Sequence, residues 1–429
     1  MQTVDILWLV EHVDREFDVA CAVTHLLAAR HGIRAEVRHI YRDAAACLEG
    51  MSPRLVVHPF FYYAQGALAT EDFTRAWPDA VHFNLAWEEL FYPANAAVKA
   101  PSDDFARDRV LHHAWGEFFR DYLAKAGVDP ARVFVNGNPA YGLYREPYRR
   151  FYKDRASLAA AHGLDPDRCW VFIPENYRWA FVSEAKIRGL AAKGGRVEDF
   201  LLLRQFCIES LAEVLRWSEE AAGRSDCEII FRPRPATHSA AMAEFHRQAV
   251  GKADPTLRFI KQESVREWIL ASDLVLSSIS TSLIEAAVAG KPACILAPLP
   301  IPGPLYCDWY DLPPRLTTRE DFQAACTGEL QFPGRHALGE WAEREMLSRG
   351  DPIAGLAGIL ARLFAALPMA PAPAGPPDWI GEIRDKRYFN DATHEKDAFG
   401  QAEVLHRTTA WAAVLDGPAA RSAAGEARP

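Results

Sequence analysis

The feature that most limits what this chain can fold into is an alternation of short apolar runs with helix-length stretches, played through twice along 429 residues. In the first half the runs fall at 6–10, 37–40, 55–58, 80–84 and 133–136. The spacing predicts a helix over 18–31, with Val19, Val23, Leu26 and Leu27 on one face and Gly32 as its stop. A second helix is expected over 108–126, ending at Gly127. In the second half apolar runs at 170–173, 228–231, 257–260, 265–271, 274–276 and 293–297 are interleaved with a long helix over 197–222 and a shorter one ending at Ala289. Strands alternating with helices imply parallel, doubly wound sheets, so an α/β fold with two such domains is expected. Ligands should then gather at the carboxyl ends of the strands.

The length supports the same division, because 429 residues exceed what one core usually holds. Boundaries are expected at 1–147 for the first domain and 148–367 for the second. Residues 368–429 would form a Pro/Ala-rich linker and a C-terminal extension whose end, from 417, is disordered. A formal charge of -9, with both signs mixed along the chain, argues against nucleic acid as a partner. The eight cysteines are scattered, without a C-x-x-C pair, so neither a disulfide framework nor a metal knuckle is expected. The N-terminus lacks a basic region and a cleavage site, and no apolar run approaches the roughly 20 residues of a membrane span. A cytoplasmic protein is expected, with any membrane contact peripheral, at the inner membrane. One segment suits such contact: residues 144–155 interleave Arg145, Arg149, Arg150, Lys153 and Arg155 with Tyr144, Tyr148, Phe151 and Tyr152. Its simpler reading is an interdomain linker with solvated charges.

Chemistry concentrates in the second half. The run at 274–276 enters a hydroxyl-rich turn carrying Ser277, Ser278, Ser280, Thr281 and Ser282, and a short helix follows and stops at Gly290. Backbone N–H groups at a helix start, with hydroxyls beside them, suit a nucleotide phosphate. An S-x-x-E capping box formed by Ser282 and Glu285 is the structural alternative, and Glu285 is otherwise a donor-side candidate. Upstream, Arg232 and Arg234 stand at the carboxyl end of another run in Arg232-Pro233-Arg234-Pro235, where guanidinium groups can chelate phosphate oxygens or make interdomain salt bridges.

Taken together, strand-R-P-x-P followed by S-D-L-V-L-S-S-I-S-T-S-L-I-E-A-A-V-A-G-K-P resembles the donor half of bacterial surface-carbohydrate and capsule transferases. Those include Kdo and sialic acid transferases that use CMP-sugars; glycerophosphate transferases that use CDP-glycerol look similar there. These families usually carry His-Pro where this chain has Arg234-Pro235. An arginine supplies a cation at that place but no proton shuttle near neutral pH. The stretch from Glu11 through His12, Arg15 and Glu16 to Asp18 looks like the family's E-H-x-x-R-E-x-D start. Residues 135–143 resemble its T-G-N-P-R-F-D-L turn, with Asn138 retained and Gly142 in place of the acid. Asn176 sits where the family has an Asn after the first strand of the second domain.

The resemblance implies a GT-B architecture, two Rossmann-like domains facing a cleft, and a metal-independent glycosyltransferase of surface polysaccharide biosynthesis. Its donor would be CMP-Kdo or a related CMP-nonulosonate, its acceptor a glycan or lipid-linked glycan, and no cofactor beyond the nucleotide-sugar substrate would be needed. Asn176, Arg232, Arg234 and the 277–282 turn would hold the donor phosphate; Glu11, His12, Arg15, Glu16 and Asn138 would lie on the acceptor side. The pair Glu88 and Glu89 resembles the acidic pair at the cleft of such transferases. Glu89 is the first choice for the base that takes the acceptor proton, with Glu88 as its neighbour.

Signatures of P-loop NTPases, dinucleotide oxidoreductases and α/β-hydrolases do not follow any expected strand. His112-His113 is expected on a helix in a surface or packing role, and His58-Pro59 at the end of a strand. Two other functions fit the pattern: a sugar-nucleotide epimerase of the UDP-GlcNAc 2-epimerase type, and a GT-B scaffold that binds without turnover.

Overall fold

The computed structural model describes residues 1–66, 68–91, 96–191, 196–224, 227–234, 237–252, 256–330, 335–347, 350–368, 375–384 and 397–417. These form two compact units, one from within 1–90, 96–151 and 343–417, the other from residue 91 and within 152–342.

The first unit is built on a parallel sheet of β1 (Gln2–Val10), β2 (Ala35–His39), β3 (Met51–His58), β4 (Val81–Asn84), β5 (Leu111–Ala114) and β6 (Val133–Val135), in the order β2-β1-β3-β4-β5-β6. Trp8 lies opposite Val37 on one side and Val57 on the other. From Ile6 to Val10 every residue is buried, as expected of a strand covered on both faces. Leu7, Leu9 and Val56 pack on one face against Cys47 and Leu48 from the helix Ala44–Gly50, Phe73 from the helix Leu68–Ala76, and Trp77 just after it. The helix Asp18–His31 ends as expected at Gly32, whose φ of 67° is the left-handed conformation that closes a helix most easily without a Cβ.

The helix expected over 108–126 is instead two pieces with a strand between them. Asp104–Asp108 is a single turn capped by Asp103, β5 follows, and the helix proper is Glu117–Lys125. His112 and His113 therefore lie on an inner strand of the sheet, between β4 and β6, and are fully buried. Their apolar neighbours at 110–111 were absorbed into a helical pattern because a four-residue strand has too few positions to declare its period.

The second unit carries a parallel sheet of β7 (Cys169–Pro174), β8 (Cys227–Arg232), β9 (Leu274–Ser277), β10 (Ala293–Leu296) and β11 (Arg315–Leu316), in the order β11-β10-β9-β7-β8. The long helix is found at Val197–Ala222. Residues 257–260 do not form a ladder: among the described residues Phe259 makes one parallel bridge, to Phe231. Residues 265–271 are helical, capped reciprocally by Ser264 and Glu267.

The chain's last part differs most from expectation, since the described residues from 343 onward belong to the first unit rather than to a second domain running to 367. Asp351 caps the helix Pro352–Ala366, whose start lies against the turn after β6: Asn136 Nδ2 donates to Pro352 O at 2.8 Å, and Tyr148 Oη to Asp351 at 2.8 Å. A Cβ on Gly142 would come within 3.2 Å of Pro352 and 3.3 Å of Ile353, so the acid that the resemblance places there would have to push these side chains aside. The described part of the extension from 397 is also built in. Helix Gln401–Leu415 lies on helix Asp18–His31, with Arg407 paired to Asp18 at 2.7 Å and Trp411 wholly buried and stacked on Phe151 at 4.0 Å. Residues 369–374 of the expected linker and 418–429 of the expected disordered end lie outside the described residues.

That packing also bears on residues 144–155. Tyr144 and Tyr148 are buried and Phe151 stacks inward, while Arg145 pairs with Glu343, Arg149 and Arg150 with Glu146, Lys153 with Glu263 and Arg155 with Asp273. Of the four aromatic residues in this stretch, Tyr144 and Tyr148 are thus buried, while Phe151 and Tyr152 stay partly exposed. Among the described residues no helix is long and apolar enough to cross a membrane. None of the eight cysteines is in a disulfide.

Candidate functional site

In each sheet the chain order reverses beside the first strand, between β1 and β3 in one unit and between β7 and β9 in the other. Such switch points open a crevice at the carboxyl ends of the strands, where neighbouring connections leave on opposite faces.

At the first switch point lies a cavity of about 360 Å³. Glu11 and His12, directly after β1, and Pro59 and Phe60, directly after β3, line it together with Tyr41, Tyr62, Tyr63, Glu88 and Lys99. Its acidic side is organised by a buried ion pair. Glu16 is fully buried, accepts the Glu11 N–H at 2.7 Å through one oxygen, and receives Arg15 Nη2 at 2.7 Å on the other. Arg15 reaches on to Glu88 at 3.1 Å, and Lys99 pairs with the second Glu88 oxygen. Burial opposes ionisation of Glu88, but the two cations prevail and hold its carboxyl below the usual range. Tyr41 Oη donates to Glu11 at 3.2 Å. Arg15 and Lys99 lie over the Phe60 ring at 5.0 and 5.2 Å, so the cations that fix Glu88 also fix an aromatic wall.

Of the acidic pair, Glu88 borders this cavity and Glu89 does not. Glu89 is 2% exposed, accepts the Trp115 N–H at 2.8 Å, and burial pushes its carboxyl well above the ordinary value. Its carboxyl thus lies inside the fold and not at this cavity, unlike the expectation that made Glu89 the first choice for the proton acceptor. Asn138 is likewise elsewhere: it caps the short helix Pro139–Gly142 by accepting the Ala140 N–H at 2.9 Å, and its own N–H donates to Met346 O at 2.6 Å. Glu11, His12 and Glu88 thus meet at one cavity, Arg15 and Glu16 support them, and Asn138 stands apart. Sequence reasoning missed the aromatic lining, Lys99 and Asp397, whose carboxylate receives His12 Nδ1 at 3.1 Å. The aromatic cluster Phe60-Phe61-Tyr62-Tyr63 after a strand was the signal available; Asp397, 385 positions from His12, left none.

At the second switch point three strand ends are tied together. Glu175, buried after β7, receives the N–H groups of Tyr177 and Arg234 and the Thr237 hydroxyl, the last two at 3.1 Å. Asn176 Nδ2 donates to Ile279 O at 3.0 Å, and Ser277 Oγ to Pro174 O at 2.6 Å. Asn176 and Ser277 therefore brace the turn, and Ser278 is buried in it. Thr281 is exposed and Ser280 partly so; Ser280 Oγ donates to Ser282 Oγ at 3.2 Å and accepts its N–H at 3.3 Å. The helix runs Ser282–Val288, with Thr281 at its N-cap position, so Ser282 does not cap it and the Ser282/Glu285 capping box is absent. Glu285 lies in the first turn, partly exposed. Arg232 is 6% exposed and donates to Glu263 O at 2.9 Å, while the Arg234 side chain is partly exposed at the same strand end. Pro235 lies outside the described residues.

No family model matches this sequence, and no curated protein does. Solved structures do match in fold. A UDP-N-acetylglucosamine 2-epimerase is 12% identical with a TM-score of 0.52, covering 87% of this chain and 100% of its own. The S. aureus MnaA–UDP structure is 10% identical, with a TM-score of 0.51 and the same coverage. The UDP-GlcNAc 2-epimerase of Methanocaldococcus jannaschii is 11% identical, with a TM-score of 0.50 over 84% of this chain and 100% of that one. At such identities the likeness is one of fold, and the fold is an α/β architecture of two Rossmann-like domains of the GT-B type.

Proposed function

We propose that the protein is a sugar-nucleotide enzyme, and specifically a glycosyltransferase that passes a sugar from a nucleotide donor to a glycan acceptor in bacterial surface polysaccharide biosynthesis. The observation that carries this reading is the cavity at the first switch point. Its aromatic walls suit the apolar face of a sugar ring, and its two carboxylates, imidazole and ammonium suit hydroxyls around the ring's edge. In the second unit Arg234, Ser280 and Thr281 stand at strand ends and supply the donors for a nucleotide phosphate, with Asn176, Arg232, Ser277, Ser278 and Ser282 shaping that turn. Cationic and hydroxyl donors fixed there offset the charge that grows on the phosphate as it leaves. The chemistry asks for no cofactor beyond the nucleotide sugar. The donor inferred from the Arg-Pro-x-Pro and serine-rich turn resemblance is CMP-Kdo or a related CMP-nonulosonate.

A second reading, a sugar-nucleotide epimerase, is favoured by the fold likeness to UDP-N-acetylglucosamine 2-epimerases. Calorimetric titration with CMP, CDP, UDP and GDP separates the donors, and CMP or CDP is expected to bind more tightly. Tighter UDP binding sinks the CMP-sugar assignment. Incubation with a nucleotide sugar then separates the reactions: nucleotide release that depends on an acceptor supports transfer, whereas an altered sugar still linked to nucleotide, formed without acceptor, supports the epimerase. Binding without either product points to a scaffold.

A further inference from the structure

The first-unit cavity holds several groups able to accept a proton, and their surroundings sort them. Glu89 does not border it, Glu16 is sealed beneath it, Glu88 is held by Arg15 and Lys99, and Glu11 receives the Tyr41 hydroxyl. His12 is different. Asp397, 1% exposed, accepts His12 Nδ1 at 3.1 Å through one oxygen and the Val13 N–H at 3.1 Å through the other. A carboxylate only accepts, so Nδ1 carries the ring proton and Nε2 is left basic. The imidazole is partly exposed, borders the cavity, and has Nε2 3.9 Å from the Glu11 carboxylate.

We propose that His12 is the general base of this cavity and that Asp397, brought in by the C-terminal segment, is its positioning residue; this rests on the transferase reading. As the acceptor oxygen bonds to the donor's anomeric carbon, its proton passes to His12 Nε2. The bond from that carbon to the phosphate oxygen breaks, and the electron pair leaves with the nucleotide. Asp397 keeps the ring in the tautomer that can accept, and steadies the imidazolium that forms. Among the described residues, Asp397, Glu11 and Glu16 favour the charged form of the ring and Arg15 opposes it. Burial also opposes the charge, but the carboxylates prevail and the imidazole titrates above its ordinary value.

The test measures acceptor-dependent nucleotide release by the full chain from pH 5 to 9. CMP-, CDP-, UDP- and GDP-linked sugars serve as donors, and p-nitrophenyl glycosides and surface-polysaccharide oligosaccharides as acceptors. His12→Gln is expected to lower turnover by about 10²–10⁴-fold with nucleotide affinity unchanged. Asp397→Asn is expected to lower it at least about tenfold and to move the acid limb of the pH profile to lower pH, because the amide no longer favours the imidazolium; Asp397→Glu should restore part of both. Circular dichroism confirms that each variant is folded. An active wild type whose rate is untouched by His12→Gln, or whose acid limb stays put in Asp397→Asn, overturns the base assignment alone. A wild type that releases nucleotide from none of these donors overturns the transferase reading and the base assignment with it.

Discussion

Two neighbouring glutamates have opposite fates here, and the contrast gives the sharpest residue-level predictions. Glu88, ionised between Arg15 and Lys99, borders the cavity, whereas Glu89 is buried, accepts a backbone N–H in the interior and has its carboxyl pushed up by burial. Glu88→Gln removes a charge-assisted acceptor worth roughly 1.5–3 kcal/mol, so the acceptor KM should rise about tenfold or more in the transfer assay. An unchanged KM would take Glu88 out of acceptor binding. Glu89→Gln should leave transfer intact and act on stability. A carboxyl raised by burial binds its proton more tightly folded than unfolded, so its contribution is complete below the unfolded value and declines as pH rises toward the folded one. The amide escapes that decline. Urea unfolding should therefore show Glu89→Gln gaining on the wild type from pH 4 to pH 7, and a constant difference would mean that Glu89 is charged in the fold. On the donor side, Arg234→Ala should weaken nucleotide binding by on the order of 1.5–3 kcal/mol if its guanidinium holds the phosphate. Calorimetry that shows equal affinity in both proteins would leave Arg234 without that role.

At the scale of elements, the C-terminal helix Gln401–Leu415 is a working part of the first unit. Trp411 is wholly buried against Phe151, and Phe399, just before the helix, lies 4.6 Å from Phe17. Truncating a buried tryptophan removes its transfer energy and leaves a cavity, so Trp411→Ala should cost about 3–5 kcal/mol in denaturant unfolding. Leu405→Ala on the same helix, at a position 69% exposed, should stay within about 0.5 kcal/mol. Equal effects would contradict the docking. The two unit 2 loops depend on a different kind of tie: Glu175 and Asn176 join β7's end to the loops after β8 and β9 by hydrogen bonds, so changes there should loosen the turn before they loosen the core.

Over the whole molecule, the first sheet has an unusual interior of neutral histidines. His58 Nε2 meets His82 Nδ1 at 2.9 Å across β3 and β4, His112 shares a hydrogen bond with Asn84 at 3.2 Å, and His113 lies beside Asn136 at 3.4 Å. Burial lowers His82, His112 and His113 to about 4, and His58 falls well below its ordinary value. Between about 6.5 and about 4 the unfolded chain binds protons that the folded one refuses, so stability should fall as pH drops through that window. Urea midpoints that stay flat from pH 6.5 to 4.5 would contradict this. Those histidines also show where the sequence stopped being legible. His58 was readable as a strand end because the apolar run before it is long, but His112 and His113 sit in a strand of four residues that a helical pattern absorbs. The two α/β sheets, the helices at Asp18–His31 and Val197–Ala222 and the serine-rich turn after β9 were determined by the sequence itself, since hydrophobic period and stop residues are local properties. The sequence also placed Glu11, His12 and Glu88 as candidates, each next to a strand end. Only the tertiary structure decided that Glu88 and not Glu89 borders the cavity, that Asn138 is a cap, that the described residues from 343 onward return to the first unit, and that Asp397 reaches His12. Each of those depends on which distant segment covers a side chain, and burial and ion pairing across hundreds of residues leave no periodic mark on the chain.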